Sequence, residues 1–265
     1  MKRTAVTRDV SPSINDCELS FHGRQRIDVA KAIEQHEAYR ECLKDLGARI
    51  VSLPAEPGLP DAVFVEDAAV VLDEIAVISN MGAASRRPEA ASLAEALARY
   101  RPLEFLTAPA TLDGGDVLRI GRSLFVGLSR RTNRQGLEQL SDLVRPHGYE
   151  VQPVEVTGCL HLKSACSYVG NNTILVNRSW IDVEPLRGFE PLDVPEQEPA
   201  AANAILLNGV VIMPGFPKTS ALLEERGFRV RRVDVSELQK AEAGVTCCSL
   251  IVEDPPSFRS RGTTA

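Results

Sequence analysis

Apolar positions along the chain fall into short bursts whose spacing alternates between two kinds. VFVEDAAVVLDEIAVIS (63–79), DGGDVLRIGRSLFVGLS (113–129), HLKSACSYVGNNTILV (161–176) and NAILLNGVVIMPG (203–215) each hold two apolar runs split by a polar or glycine step, the mark of a β-hairpin. The splitting residues are Asp73-Glu74, Gly121-Arg122, Gly170-Asn171-Asn172 and Asn208-Gly209, the last being the strongest two-residue hairpin signal. After each hairpin the spacing becomes helical. PEAASLAEALARY (88–100) carries proline at its first turn. TNRQGLEQLSDLVRPHG (132–148) offers Thr132 as N-cap and Gly148 as stop. SWIDVEPLRG (179–188) predicts only a short helix, and PKTSALLEERG (217–227) a longer one. A further strand follows the first, second and fourth helices: LEFLTAP (103–109), YEVQPVEV (149–156) and FRVRRVDV (228–235).

A fifth copy of this sentence is split across the chain ends. CCSLIV (247–252) supplies one strand and TAVTRDV (4–10) the other, followed by a helix over 27–47 with Asp28 as cap and Gly47 as stop, then RIVSLPA (49–55). The later hairpins start at Asp113, His161, Asn203 and Cys247, a period of roughly 45 residues. Five ββαβ units closed by the N-terminal strand predict an α/β fold of one domain over 1–265: a five-bladed α/β propeller with pseudo-five-fold symmetry.

Composition narrows the function classes. The 265 residues are 44% hydrophobic and 25% charged with a formal charge of −6, which suits an ordinary globular core and no nucleic acid partner. No apolar run reaches the roughly 18 residues of a membrane span, and MKRTAVTRDV lacks the apolar stretch of a secretory signal. The six cysteines form no C-x-x-C pair and read as reduced thiols in a cytoplasmic protein. Cys17, Cys42, Cys159 and Cys166 read as small apolar filler.

The ring decides which residues meet. Equivalent positions surround one axis, so Glu66 and Asp67, Asp113, His161, Asn203 and Cys247 converge there. A thiol, an imidazole and carboxylates form a nucleophile, a proton-transfer group and an orienter. Each has a plainer alternative: LDGGD as a turn, His161 as a core histidine, Glu66 and Asp67 as a solvated strand tip, Arg86 and Arg131 as surface charge. His22, His36 and His147 are assigned no chemistry. Alternation along a strand sends Cys247 and Cys248 to opposite faces, with Cys248 and Thr246 entering the layer between sheet and helices.

The set PDAVFVED (60–67), LDGGDV (112–117), FVGLSRRTN (125–133), LHLKSACS (160–167) and GVTCCS (244–249) resembles the dimethylarginine dimethylaminohydrolase family, a guanidine-modifying branch of the penteins. The resemblance runs from Thr4 to Val252 with the motifs in the family's order. It implies Cys247 as nucleophile, His161 as proton-transfer residue and Asp113 as its orienting carboxylate. It further implies Asp61, Glu66 and Asp67 as substrate-binding acids, Arg86 and Arg131 as carboxylate-binding arginines, Leu19 on a flap, and the Ala241 carbonyl as a partner of the substrate's amino acid end. AEAG (241–244) departs from the family's usual hydrophobic-acid-glycine pattern. The expected partner is a small molecule, a free methylated arginine, bound by a monomer or homodimer. No metal or organic cofactor is required, although the paired thiols suit a soft metal such as Zn²⁺ as an inhibitor at Cys247 if Cys248 swings toward the pocket. Two other readings stay open. One is another guanidine-modifying enzyme, an arginine deiminase or amidinotransferase, although the extra helical insertion of the deiminases has no room here. The other is a non-enzymatic ribosome-associated pentein.

Overall fold

In a computed structural model, residues 3–253 are described, and the outermost ends of the expected domain, 1–2 and 254–265, lie outside them. The strands form five separate three-stranded sheets. In four of them an antiparallel hairpin pairs through its second strand with a parallel third. These are Ala69–Val71, Ala76–Ile78 and Leu103–Phe105; Val117–Ile120, Ser123–Leu128 and Glu150–Glu155; Cys166–Gly170, Thr173–Val176 and Glu190–Asp193; and Ile205–Leu207, Val210–Pro214 and Arg229–Val233. The fifth sheet joins the chain ends: Leu250–Glu253 runs antiparallel to Arg3–Arg8, which is parallel to Ala48–Leu53. The architecture is the expected five-unit α/β propeller.

Local chemistry explains most boundaries. Asp28 caps the helix Val29–Asp45 by accepting the Lys31 N–H, and Gly47 ends it at φ +90°. Asn208 and Gly209 both take positive φ, as a type I′ hairpin turn demands. In the helix Arg134–Val144, Leu137, Leu140 and Val144 are buried on one face.

Several expectations shift. The cap of Arg134–Val144 is Asn133, whose side chain accepts the Gly136 N–H, and not Thr132. Thr132 turns inward instead, its hydroxyl donating to Asp116 and accepting from the Asp113 N–H. The segment 179–188 yields only a 3-10 turn, Glu184–Leu186, followed by a strand that the sequence pattern did not show. Cys247 and Cys248 sit in a turn, and the strand starts later, at Leu250.

The core is not one body. Five apolar clusters lie between neighbouring sheets and helices, one for each sector of the ring. Adjacent residues of a strand feed different sectors: Ala5 packs with Tyr39 and Leu43, Val6 with Leu93 and Leu97. The axis is left to polar groups. Short helical turns precede three of the hairpins, at Val65–Ala68, Gly114–Asp116 and Leu162–Ala165, and a turn precedes Leu250. These turns, rather than strand starts, present the axial side chains.

Candidate active site

Asp61, Asp67, Arg86, Arg131, His161, Ala241 and Cys247 line one cavity near the axis, together with Glu18, Phe64, Leu160, Glu242 and Ala243. The core of the arrangement is an imidazole between two carboxylates. His161 Nε2 lies 3.1 Å from Asp113 Oδ2, and its Nδ1 lies 3.7 Å from Asp67 Oδ1. Burial opposes charge on the ring, but Asp67, the Asp113 hydrogen bond and Asp116 raise its pKa to about 9. At neutral pH His161 is therefore an imidazolium, ready to act as an acid.

The tight approach depends on Gly115. A Cβ there would stand 2.6 Å from Asp67 Oδ1 and 2.7 Å from His161 Nδ1. With glycine in place, the Gly115 N–H donates to Asp67 Oδ1 at 3.2 Å. Burial opposes the charge on Asp67, yet His161, Arg86 and Arg131 outweigh it and hold the carboxyl below its ordinary range.

Cys247 is partly exposed, whereas Cys248 is fully buried among Ala5, Tyr39 and Leu43 and donates its thiol to the Gly244 carbonyl at 3.5 Å. The expected division between the two thiols holds, but the turn produces it rather than strand alternation. Thr246 does not enter the sheet–helix layer: its hydroxyl donates to Glu66 Oε2 at 2.7 Å and lies 3.9 Å from Cys247 Sγ. Burial, Glu66 and Asp67 push the Cys247 thiol up to about 12, although the Gly244 N–H donates to its sulfur at 3.4 Å. At neutral pH the Cys247 sulfur is therefore a thiol.

The two arginines differ. Arg86 is saturated on most sides: Nε and Nη2 donate to Glu89, Nη1 donates to Asp67 at 2.6 Å, and Nη2 also meets the carbonyls of Asp61 and Phe64. Arg131 keeps a buried Nη1 with no hydrogen-bond partner, 3.8 Å from Asp113 Oδ2. An unpaired guanidinium nitrogen on a residue that lines the cavity is a place for an anion.

Two expected residues are placed otherwise. Glu66 gives one oxygen to Lys163 Nζ at 2.6 Å and the other to Thr246, and it lines a separate cavity with Ile205 and Leu250 rather than this one. Leu19 packs against the core, and its neighbour Glu18 lines the site instead. Asn203 reaches the axis but acts as a brace, donating to the Lys163 carbonyl and Thr246 Oγ1.

Some contributors escaped sequence reasoning. Asp116 accepts the Leu162 N–H, the Ser129 hydroxyl and the Thr132 hydroxyl, which fixes the backbone beside His161; burial raises its carboxyl to about 6. It is the second aspartate of DGGD, and its spacing was the available signal. Glu89 grips Arg86 from three residues downstream, a helical spacing that pairs opposite charges. Burial raises Glu89 to about 7 against the pull of Arg86. For a cation, the donor atoms of Asp67, Asp113 and His161 lie within 4.8 Å of one another. Cys248, facing the core, is not placed to join Cys247 around a metal.

Such a site places a cation-binding carboxylate, an acid and a thiol around one point, which suits attack on a positively charged carbon centre. A family model described as N,N dimethylarginine dimethylhydrolase, eukaryotic, matches residues 5–251. The chain is 37% identical over 253 residues to the N(G),N(G)-dimethylarginine dimethylaminohydrolase of Pseudomonas aeruginosa, covering 94% of this chain and 99% of that one. It is also 37% identical over 251 residues to the enzyme of the same description from Streptomyces coelicolor, covering 94% and 96%. A solved structure of the Pseudomonas aeruginosa protein, a cysteine-to-serine mutant complexed with citrulline, superposes with a TM-score of 0.89 at 35% identity over 95% of this chain and 99% of that one.

Proposed function

The chain belongs to the dimethylarginine dimethylaminohydrolase family, and on that footing we propose that it hydrolyses free Nω-methylated arginines to citrulline and methylamine or dimethylamine. The observation that carries this is the meeting of the Cys247 thiol, the charged His161 and the vacant Arg131 nitrogen in one cavity.

The substrate's guanidinium sits against Asp67, whose charge holds the cation and fixes its plane. A cation beside Cys247 offsets the field of Glu66 and Asp67, so the thiol loses its proton to solvent when substrate arrives. The thiolate forms a bond to the central guanidinium carbon. The C–N bond to the methylated nitrogen then breaks, with its electron pair going to nitrogen and His161 supplying the proton. An S-alkylthiouronium remains on Cys247. Neutral His161 takes a proton from water, which attacks the same carbon, and the C–S bond breaks to give citrulline. Asp113 keeps the ring oriented throughout. These steps call on no cofactor.

Arg131 takes the substrate carboxylate first, with the remaining Nη1 proton of Arg86 as a second donor. Ala241, on the cavity wall, offers its carbonyl to the α-amino group, and Asp61 adds negative charge at that end. Glu66 acts on Cys247 through its field rather than by touching substrate. The six free thiols fit a reducing cytoplasm, and among the described residues no helix is long and apolar enough to cross a membrane.

A citrulline assay with asymmetric dimethyl-, monomethyl- and unmethylated arginine tests the proposal. Methylated forms should be turned over with the higher kcat/KM. Citrulline from arginine alone would make the protein a deiminase, and amidine transfer to an added amine would make it an amidinotransferase.

A further inference from the structure

Residues 18–26 have no regular secondary structure, and from Phe21 to Arg26 they are exposed, yet buried Cys17 and Ile27 anchor them at either end. The segment is a strap across the mouth of the site: Glu18 lines the catalytic cavity, and Phe21 and His22 line the cavity beside it. One side chain collects its backbone. Glu242 accepts the Ser20 N–H at 2.9 and 3.0 Å, the Phe21 N–H at 2.5 Å and the His22 N–H at 2.6 Å. Three successive amides converging on one carboxylate form an anion-binding nest, here filled from within the protein.

Glu242 is placed for this at a cost. Its φ is +59°, a left-handed conformation that non-glycine residues adopt uncommonly. It directly follows Ala241 and lines both cavities itself. The other end of the strap is tied by the Glu18 N–H to Asp61 Oδ2 at 3.0 Å and by the Ser85 hydroxyl to Glu18 at 2.5 Å. Arg130 lies over the Phe21 ring, 5.2 Å from its centroid.

We infer that Glu242 is a positioning residue for the reaction, the latch that draws residues 20–22 down over a bound substrate. The inference rests on the proposed hydrolysis of free methylarginines only for what lies beneath the strap. Latch strength then sets how long substrate is held. The chemical groups Cys247, His161 and Asp113 make no hydrogen bond to Glu242, so the latch acts on binding and leaves the bond-breaking groups in place.

Glu242→Ala removes the acceptor. Loss of charge-assisted bonds to the strap should raise KM roughly 10- to 100-fold with kcat within about threefold. Glu242→Gln keeps a neutral acceptor and should fall between wild type and Glu242→Ala. Amide hydrogen exchange of a peptide spanning 18–26, read without substrate, should quicken about 10-fold or more in Glu242→Ala, while the thermal midpoint of the protein moves little. Unchanged exchange in that peptide overturns the latch, and so does faster exchange with an unchanged KM. Because exchange needs no substrate, a failed latch is distinguishable from a failed functional assignment, which would appear as a wild-type enzyme inert toward methylarginines.

Discussion

Glu66 and Asp67 are adjacent carboxylates on one 3-10 turn, yet they do opposite work. Three residues per turn set neighbours about 120° apart, so the two face different cavities. Burial raises the Glu66 carboxyl despite Lys163 and Thr246, which take up both of its oxygens. Asp67 is equally buried but stays ionised, because His161, Arg86 and Arg131 supply positive charge. The Glu66 side closes the axis with a finished ion pair. The Asp67 side holds cations around a space that can accept another cation. A carboxylate's role in this ring is set by whether its partners leave a vacancy.

The largest expected effect comes from cutting the Asp67 side. Asp67→Asn removes one of two carboxylates from each of Arg86 and His161, which keep Glu89 and Asp113, and takes the charge from the carboxylate that holds the substrate cation, so kcat/KM should fall by about 10³ or more, in line with the loss of a buried charge partner. Glu66→Gln should cost only about 10-fold, since it acts through its field. Steady-state kinetics on both, with circular dichroism to confirm the fold, would break the comparison if the two losses were equal. His161→Gly should reduce turnover by roughly 10²–10⁴, the usual reach of a general acid–base group. A near-normal kcat would return His161 to the role of a core histidine.

The arginines sharpen the contrast between filled and vacant partners. Amidating the substrate carboxyl should cost roughly 1.5–3 kcal/mol in kcat/KM, and the same penalty should shrink in Arg131→Gln. Equal rates on acid and amide would remove the carboxylate clamp.

Stability against pH separates the two buried histidines. The pKa of His161 is raised to about 9, so its contribution to stability is complete below about 6.5 and is lost as pH rises from there through 9. His36 is lowered to about 4 by burial and by Arg40, and it keeps a buried Nε2 without a partner. The unfolded chain protonates that histidine first, so stability falls as pH drops from about 6.5 toward 4. Thermal midpoints across pH should therefore decline on both sides. His36→Gln should flatten the acid limb alone, and an unaltered acid limb would remove His36 as its source.

Much of the ring was legible because its signals are local and repeated. Asn208-Gly209, Gly148 and the Asp28 cap act within a few residues, and the recurring hairpins placed Asp113, His161 and Cys247 in one register. What escaped depends on distant partners. The fates of Glu66 and Asp67 diverge because Lys163 and Thr246 arrive from 97 and 180 residues away. CCSLIV has a strand's composition, but the bonds of the Ser249 N–H to the Thr246 carbonyl and of the Cys248 thiol to the Gly244 carbonyl belong to a turn. Thr132 and Asn133 are both cap formers, and only the pull of buried Asp116 on Thr132 decides between them.

The smallest effect belongs to Cys248. Cys248→Ala should keep most activity and cost about 1 kcal/mol of stability, whereas Cys247→Ser should lose activity by orders of magnitude. The covalent intermediate itself gives the most direct test of the account. Enzyme mixed with asymmetric dimethylarginine, quenched in acid during turnover and mapped by mass spectrometry, should carry the thiouronium adduct on Cys247. An adduct on Cys248 alone, or turnover to citrulline by Cys247→Ser at the wild-type rate, would contradict it.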